Sequence, residues 1–333
     1  MTRIVAPAND PVEPRTSEIL APASDSEERA LATDVLSSVV DALRIKGQLF
    51  CRAQRRAPWG LVLEAAASPY FHVVERGTCW LEQDGASPLR IEEGEVVLLP
   101  AGSAHRLVDT PGRPALPLQV ISRASFAEHR VAEDGDSIVL CGGFTIDAHA
   151  IHPLTTLLPE IVHVRPSGTT GALLERTIAS LAGEAADARP GFDAIARRLT
   201  EVLFLAILRA WLPDARQPPS GWLAALRDRE ISVALSALHA DPARDWTLAD
   251  LAARCGLARS RFAERFTELV GVPPMTYLAR WRMQLASDLL TRTDLRVGEI
   301  AASVGYASEA AFTRAFRAAT QRTPAAWRRA EAS

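Results

Sequence analysis

Between Leu49 and about Val164 the apolar residues come in short runs broken by glycine and proline: GLVLEA, YFHVVERG, TCWLEQDG and EVVLLPAG. Runs of that length, each closed by turn residues, predict strands and together an all-β unit. From Gly171 the period changes. GALLERTIASLAGEAAD and GFDAIARRLTEVLFLAILRAWL carry apolar residues at helical spacing, and the breaker ARPG around Pro190 separates them. The second is apolar on more than one side, through Leu199, Val202, Leu203, Leu205, Ala206 and Trp211. Two readings stay open for it: burial inside its own unit, or part of a dimer surface. PDARQPPSG, 213–221, is a linker by composition. Everything after it reads as short helices. One longer pattern, PPMTYLARWRMQLASDLLTR, runs about five turns, with Pro273 and Pro274 at its start, where proline is tolerated.

The helical half repeats itself. Phe262 matches Phe312, Phe266 matches Phe316, Pro274 matches Pro324 and Tyr277 matches Trp327, all at one offset. In the second copy VGEIAASVG predicts a short amphipathic helix, Gly305 a turn, and Ser308 the cap of a further helix with Glu309 in its first turn. Phe312 and Phe316 stand at i and i+4, on one face that packs back on the first helix. The first copy has TLADLAARCG as its supporting helix, Gly256 as its turn, and Phe262 and Phe266 as anchors. A helix, a glycine turn and a second helix with arginines on its outer face make a helix-turn-helix, whose second helix fits the major groove.

Charge sharpens this picture. The 333-residue chain has a formal net charge of −3. From Leu251 to Arg329 there are 13 arginines, no lysine and six acidic residues, a net charge of +7, so the remainder carries −10. A basic segment on an acidic chain points to a polyanion partner for that segment. A plain α-helical domain with solvated arginines would not need two copies.

Residues 230–329 resemble the DNA-binding domain of AraC/XylS-type transcription regulators. The residues that carry the likeness are LADLAARCGLARSRFAERFTELVGVPP, RWRMQLASDLL, and IAASVGYASEAAFTRAFR with TPAAWR. The resemblance implies two helix-turn-helix modules, at about 248–269 and about 297–319, joined by a rigid helix and reading successive major-groove segments of double-stranded DNA. By position, Ser260, Ala263 and Glu264, then Glu309, Ala310, Thr313 and Arg314, should face bases. Arg259, Arg261, Arg265 and Arg317 suit phosphate or flanking contacts, and Ser308 stands at the start of the second reading helix. Ala258 departs from the family's capping serine, and Gln321 from its glycine.

GEVVLLPAGSAH resembles the second motif of cupin barrels, with its histidine, His105, pointing inward and His72 as an inward partner. CRAQRRAPWG and VLCGGF resemble a cupin subgroup found in such regulators. The expected fold is therefore α+β in two domains: a cupin-like β-barrel with following helices, then an all-α reader. The expected plan is a flexible tail over 1–30, a sensory domain over 31–165, a helical segment over 166–212 where dimerisation would occur, a linker over 213–222, and the reader over 223–333.

A metal-binding cupin would bring a His-x-His pair and a glutamate. Here Val74 stands where the second histidine belongs, and Glu75 lies just beyond. A zinc or other transition-metal site from His72, His105 and a thiolate of Cys51 or Cys141 is one expectation, with no cofactor required for the reader. Hydrogen-bonded histidines in the barrel wall are the other. The four cysteines, Cys51, Cys79, Cys141 and Cys255, form no CxxC pair, which predicts thiols rather than a disulfide framework. Arg52, Arg55 and Arg56 near Cys51 favour its thiolate, so oxidation involving Cys51 and Cys141 is a candidate signal. Buried, inert cysteines are the commoner case.

The function these features predict is a sequence-specific transcription regulator, not an enzyme, acting as a homodimer on DNA under a small-molecule, metal or redox effector. Activation, with RNA polymerase as a further partner, follows from the resemblance alone. The competing reading is a metal-dependent cupin enzyme with an accessory helical domain. The absent His-x-His and the doubled reading helix weigh against it, and no nucleotide-binding glycine loop, G-x-S-x-G or HExxH is present. The N-terminus lacks the order of a secretory signal and no apolar run is long enough to span a bilayer, which predicts no membrane and a cytoplasmic, nucleoid-associated protein.

Overall fold

The computed structural model of the chain describes residues 35–118, 137–146, 158–187, 189–212 and 221–331. The tail expected over 1–30 and most of the linker lie outside them. Helix α1 (Val35–Leu43) comes first. Ten strands follow: β1 (Lys46–Arg55), β2 (Gly60–Leu63), β3 (Tyr70–Arg76), β4 (Thr78–Glu82), β5 (Leu89–Glu92), β6 (Val96–Leu99), β7 (His105–Val108), β8 (Leu116–Pro117), β9 (Ser137–Thr145) and β10 (Val162–Val164). They form two five-stranded sheets, ordered β1-β9-β3-β6-β10 and β5-β4-β7-β2-β8.

Alternation along the strands decides what lies between the sheets. Cys51, Ala53, Val97, Leu99, Val139 and Cys141 of the first sheet meet Leu61, Leu63, Leu81, Ile91 and Leu107 of the second in one apolar layer. The expected barrel is instead an open two-sheet sandwich among the described residues, because the edge strands of one sheet do not pair with those of the other. Two of those edges are short, β8 with two residues and β10 with three.

The first sheet is apolar on its outer face too, through Phe71, Val73, Val96, Leu98, Leu140 and Phe144. Burial on both faces explains why β6 is an unbroken apolar run, VVLL. Two 20-residue helices, α2 (Gly168–Asp187) and α3 (Phe192–Trp211), cover that face. Helix α3 crosses β1 at Gly47, where a Cβ would come within 2.4 Å of the Thr200 Cβ, so only glycine permits the approach. Burial within the chain accounts for Leu203, Ala206 and Trp211 of α3, while Ile195 and Val202 stay 42% and 40% exposed.

The reader is eight helices: α4 (Gly221–Arg227), α5 (Ile231–Ala240), α6 (Leu248–Arg254), α7 (Arg259–Val270), α8 (Pro274–Arg292), α9 (Val297–Ser303), α10 (Glu309–Thr320) and α11 (Pro324–Glu331). Helix α1 packs on α5 and α8 of this reader. Just after it, Arg44 adopts a left-handed φ of 48° and its Nε donates to Asp288 Oδ1 at 2.8 Å. Buried Gln284 on α8 donates to the Ala42 carbonyl at 2.9 Å. No helix among the described residues is long and apolar enough to cross a membrane.

Candidate nucleic-acid interface

The first module is built on a reciprocal cap. Thr247 Oγ1 accepts from the Asp250 N–H at 3.1 Å, and Asp250 Oδ2 accepts from the Thr247 N–H at 3.0 Å, which starts α6 firmly. Gly256, at φ 66°, turns the chain. Helix α7 then begins after Ala258, which has no side chain to cap it. Phe262 and Phe266 are fully buried with ring centroids 5.7 Å apart, and Phe266 meets the edge of Tyr277 at 5.9 Å. On the remaining faces Arg259, Ser260, Arg261 and Glu264 are exposed and Ala263 is half-buried. Arg265 is differently placed. Its Nε donates to Asp228 Oδ2 at 3.1 Å and lies 3.4 Å from Glu230 Oε2, so its guanidinium turns toward the corner between α4 and α5.

The second module repeats the plan with a better start. Ser308 Oγ accepts from the Ala311 N–H at 3.2 Å and Glu309 occupies the first turn of α10, both favourable at a helix N-terminus. Gly305 turns the chain at φ 84°. Phe312 and Phe316 are fully buried, 5.6 Å apart, and Phe316 meets the edge of Trp327 at 5.5 Å. Gln321 takes the left-handed position, φ 60°, that Gly271 fills at φ 82° in the first copy. Ser308, Glu309, Ala310, Arg314 and Arg317 are exposed and Thr313 is half-buried. Neither Arg314 nor Arg317 makes an ion pair among the described residues, which leaves both forks available to guanine or phosphate.

The β unit holds a second cluster. Cys51 faces Cys141 across β1 and β9, and Cys141 faces His72 across β9 and β3. His105, from the opposite sheet, places its Nε2 2.7 Å from His72 Nε2. His105 Nδ1 lies 2.7 Å from the Ser103 carbonyl. A carbonyl only accepts, so His105 carries its proton on Nδ1 and accepts from His72 at Nε2. His72 Nδ1 is then a buried lone pair with no hydrogen-bond partner. Burial lowers the pKa of both imidazoles, that of His72 well below 6.5, and both are neutral at pH 7. A hydrogen bond from the Cys141 thiol lowers the Cys51 pKa below its usual 9.0, with help from Arg55. The same bond raises that of Cys141. Burial pushes Cys79 up to about 12 and Cys255 up to about 11.

The imidazoles turn their facing nitrogens on each other, and among the described residues no three His, Cys, Asp or Glu side chains are grouped to hold a metal ion. Glu75 is bound to Arg52 through both oxygens, at 2.6 and 2.7 Å.

The family described as Cupin matches residues 34–213, and the family described as Helix-turn-helix domain matches residues 251–330. A putative AraC-like transcription regulator of Streptomyces lividans is 33% identical over 298 residues, covering 89% of this chain and 98% of that protein. The chain belongs to the AraC-like transcription regulators. The HTH-type transcriptional regulator AlkR of Acinetobacter baylyi is 29% identical over 89% of this chain and 99% of its own. The RCS-specific HTH-type transcriptional activator RclR of Escherichia coli is 27% identical over 74% of this chain and 79% of its own.

In this AraC-like regulator several polar residues matter that the sequence reading passed over. Asp228 and Glu230 hold Arg265, and Asp228 also accepts the Ile231 N–H at 2.9 Å, so one carboxylate starts α5 and ties α7 to it. The signal was the acidic pair at 228 and 230, just outside the basic segment. Arg282 and Asp288, on the long helix α8, make contacts up to 244 positions away that no local pattern announces.

Proposed function

We propose that this DNA-binding regulator reads two adjacent major-groove segments through α7 and α10, as a homodimer, and that oxidation of its β unit gates the reading. The observation that carries the gate is the register pair Cys51–Cys141. Residues directly opposed in an antiparallel ladder have Cα atoms about 4.5–5.5 Å apart. A disulfide accepts roughly 4.4–6.8 Å, so the bond needs little backbone movement. The Cys51 thiolate attacks a peroxide oxygen, forms a sulfenic acid and releases water after protonation. Cys141 then attacks that sulfur and expels a second water. Two thiols and one hydrogen peroxide thus give one disulfide and two waters. RclR, a relative named an RCS-specific transcriptional activator, supports a specific effector for this regulator. Its name also supports activation.

The dimer rests on α3. Ile195, half-buried Leu199 and Val202 stand at i, i+4 and i+7, an apolar stripe on the outer side of a helix whose other side is core. A second copy of α3 is the occupant that matches it.

The test uses the full chain and a duplex that it selects from a randomised library. Peroxide treatment should change affinity for that duplex by about tenfold, a coupling within the usual allosteric range. Cys51→Ser and Cys141→Ser should each abolish the response. Unchanged affinity with both thiols titrated as oxidised ends the oxidant reading and leaves the DNA reading intact. Ile195→Glu with Val202→Glu should yield monomer by sedimentation.

A further inference from the structure

One guanidinium touches both helix-turn-helix modules. Arg282 lies on α8, which runs from the first module to the second. Its Nε donates to the Pro242 carbonyl at 2.7 Å and its Nη2 to the Arg244 carbonyl at 2.8 Å. Both carbonyls belong to the loop that leads from α5 into α6, the entrance of the first module. That loop is stiffened locally: Trp246 Nε1 donates to the Asp241 carbonyl at 2.8 Å, and the Arg244 guanidinium covers the Trp246 ring at 4.2 Å. Arg282 also lies over the ring of Tyr306, 5.8 Å from its centroid. Tyr306 follows Gly305 in the turn of the second module and packs edge-on against Phe312 at 5.6 Å. The backbones meet here as well. A Cβ on Gly305 would fall 2.5 Å from the Ala243 carbonyl oxygen and 2.8 Å from Arg282 Nη2.

A helix between two modules fixes their separation. Their relative twist needs a third contact, and this cluster supplies it. Twist matters because B-DNA turns about 35° per base pair, so a module mis-set by that angle meets the wrong step. We infer that Arg282 is a positioning residue that sets the phase between α7 and α10, and with it the spacing between the two DNA segments that the regulator accepts. A planar fork reaches two carbonyls and a ring at once, whereas a lysine ammonium is a single point of contact. The inference rests on the DNA-reading role.

Full-length wild type, Arg282→Ala and Arg282→Lys are compared on the duplex that the wild type selects, and on versions with one base pair added or removed between the two contacted segments. The wild type should lose about tenfold or more on either change, the scale of a mismatched site. Arg282→Ala should bind the native duplex more weakly, yet discriminate between spacings by no more than about threefold, with Arg282→Lys in between. A melting curve runs alongside. A variant that melts earlier but keeps the wild-type spacing preference overturns the inference, since a purely structural role would give that result. Should Arg282→Ala not fold, Arg282→Lys and Gly305→Ala carry the same reading, and unchanged discrimination in both overturns it. Failure of the wild type to select any sequence would overturn the DNA reading itself and this inference with it.

Discussion

In the first helix-turn-helix module Phe262 and Phe266 are buried in the same apolar core as Trp222, Leu235 and Leu251, and that core continues into α1, α2 and α3. In the second, Phe312 and Phe316 sit in a separate cluster with Met283, Leu290, Ile300 and Trp327. The polar side differs in the same sense. Arg265 of α7 is tied to Asp228, while Arg314 and Arg317 of α10 are exposed and make no ion pair among the described residues. Two copies of one plan thus pack differently: the first shares the large core of the chain, the second has a small core of its own.

The largest expected effect tests that division directly. Phe316→Ala and Phe262→Ala should each cost about 3–5 kcal/mol. Hydrogen exchange should show Phe316→Ala opening α9–α11 alone, with α7 still protected. Phe262→Ala should instead lower protection through α4–α8 and α1. Simultaneous loss of protection in both modules, whichever ring is cut, would erase the difference. On DNA, Arg314→Ala should weaken specific binding by ~1–3 kcal/mol if its fork reads a guanine. Arg265→Ala should shift affinity by less than that, because its guanidinium is already committed. Titrations of both variants on the selected duplex decide this.

A third measurement sets the β unit against the reader. His72 and His105 have folded pKa values below 6.5, so the unfolded chain binds their protons more readily. Stability is therefore full above pH 6.5 and declines as pH falls below it, by at most about 1.4 kcal/mol per pH unit for each histidine. His72→Leu should flatten the fall in denaturant midpoint between pH 7 and pH 5, and an unchanged slope would assign it elsewhere. The smallest effects return to the modules. Ser308→Ala should cost about 1 kcal/mol and Ala258→Ser should recover a similar amount, read as opposite shifts in melting temperature. Equal and null shifts would mean that neither cap matters.

The helical half was legible because its signals are local. Paired phenylalanines four apart, glycines at the turns and Ser308 before α10 each act within one or two turns of helix, and Gly256, Gly305 and Ser308 take those roles. The alternation that made the first half β was equally readable. Closure was not, since a ring of strands depends on edge pairing between segments far apart in sequence, and β8 and β10 are too short to betray themselves. The cross-strand neighbours Cys51, Cys141 and His72 were singled out by residue type, but their adjacency is a matter of register. Arg265 looked like its exposed neighbours because nothing near it in sequence shows Asp228 reaching across 37 positions.

Gln284 and Asp288 on α8 grip Ala42 and Arg44 at the very entrance to β1. The scaffold that bears the thiols is thereby joined to the helix that spans the two readers, and any coupling carried across that join is reciprocal. If oxidation alters the hold on an operator by some factor, operator occupancy must alter the redox equilibrium constant of the thiol pair by the same factor, about 30 mV of midpoint potential for each tenfold. A molecule parked at a promoter would then report a different redox threshold from one diffusing freely.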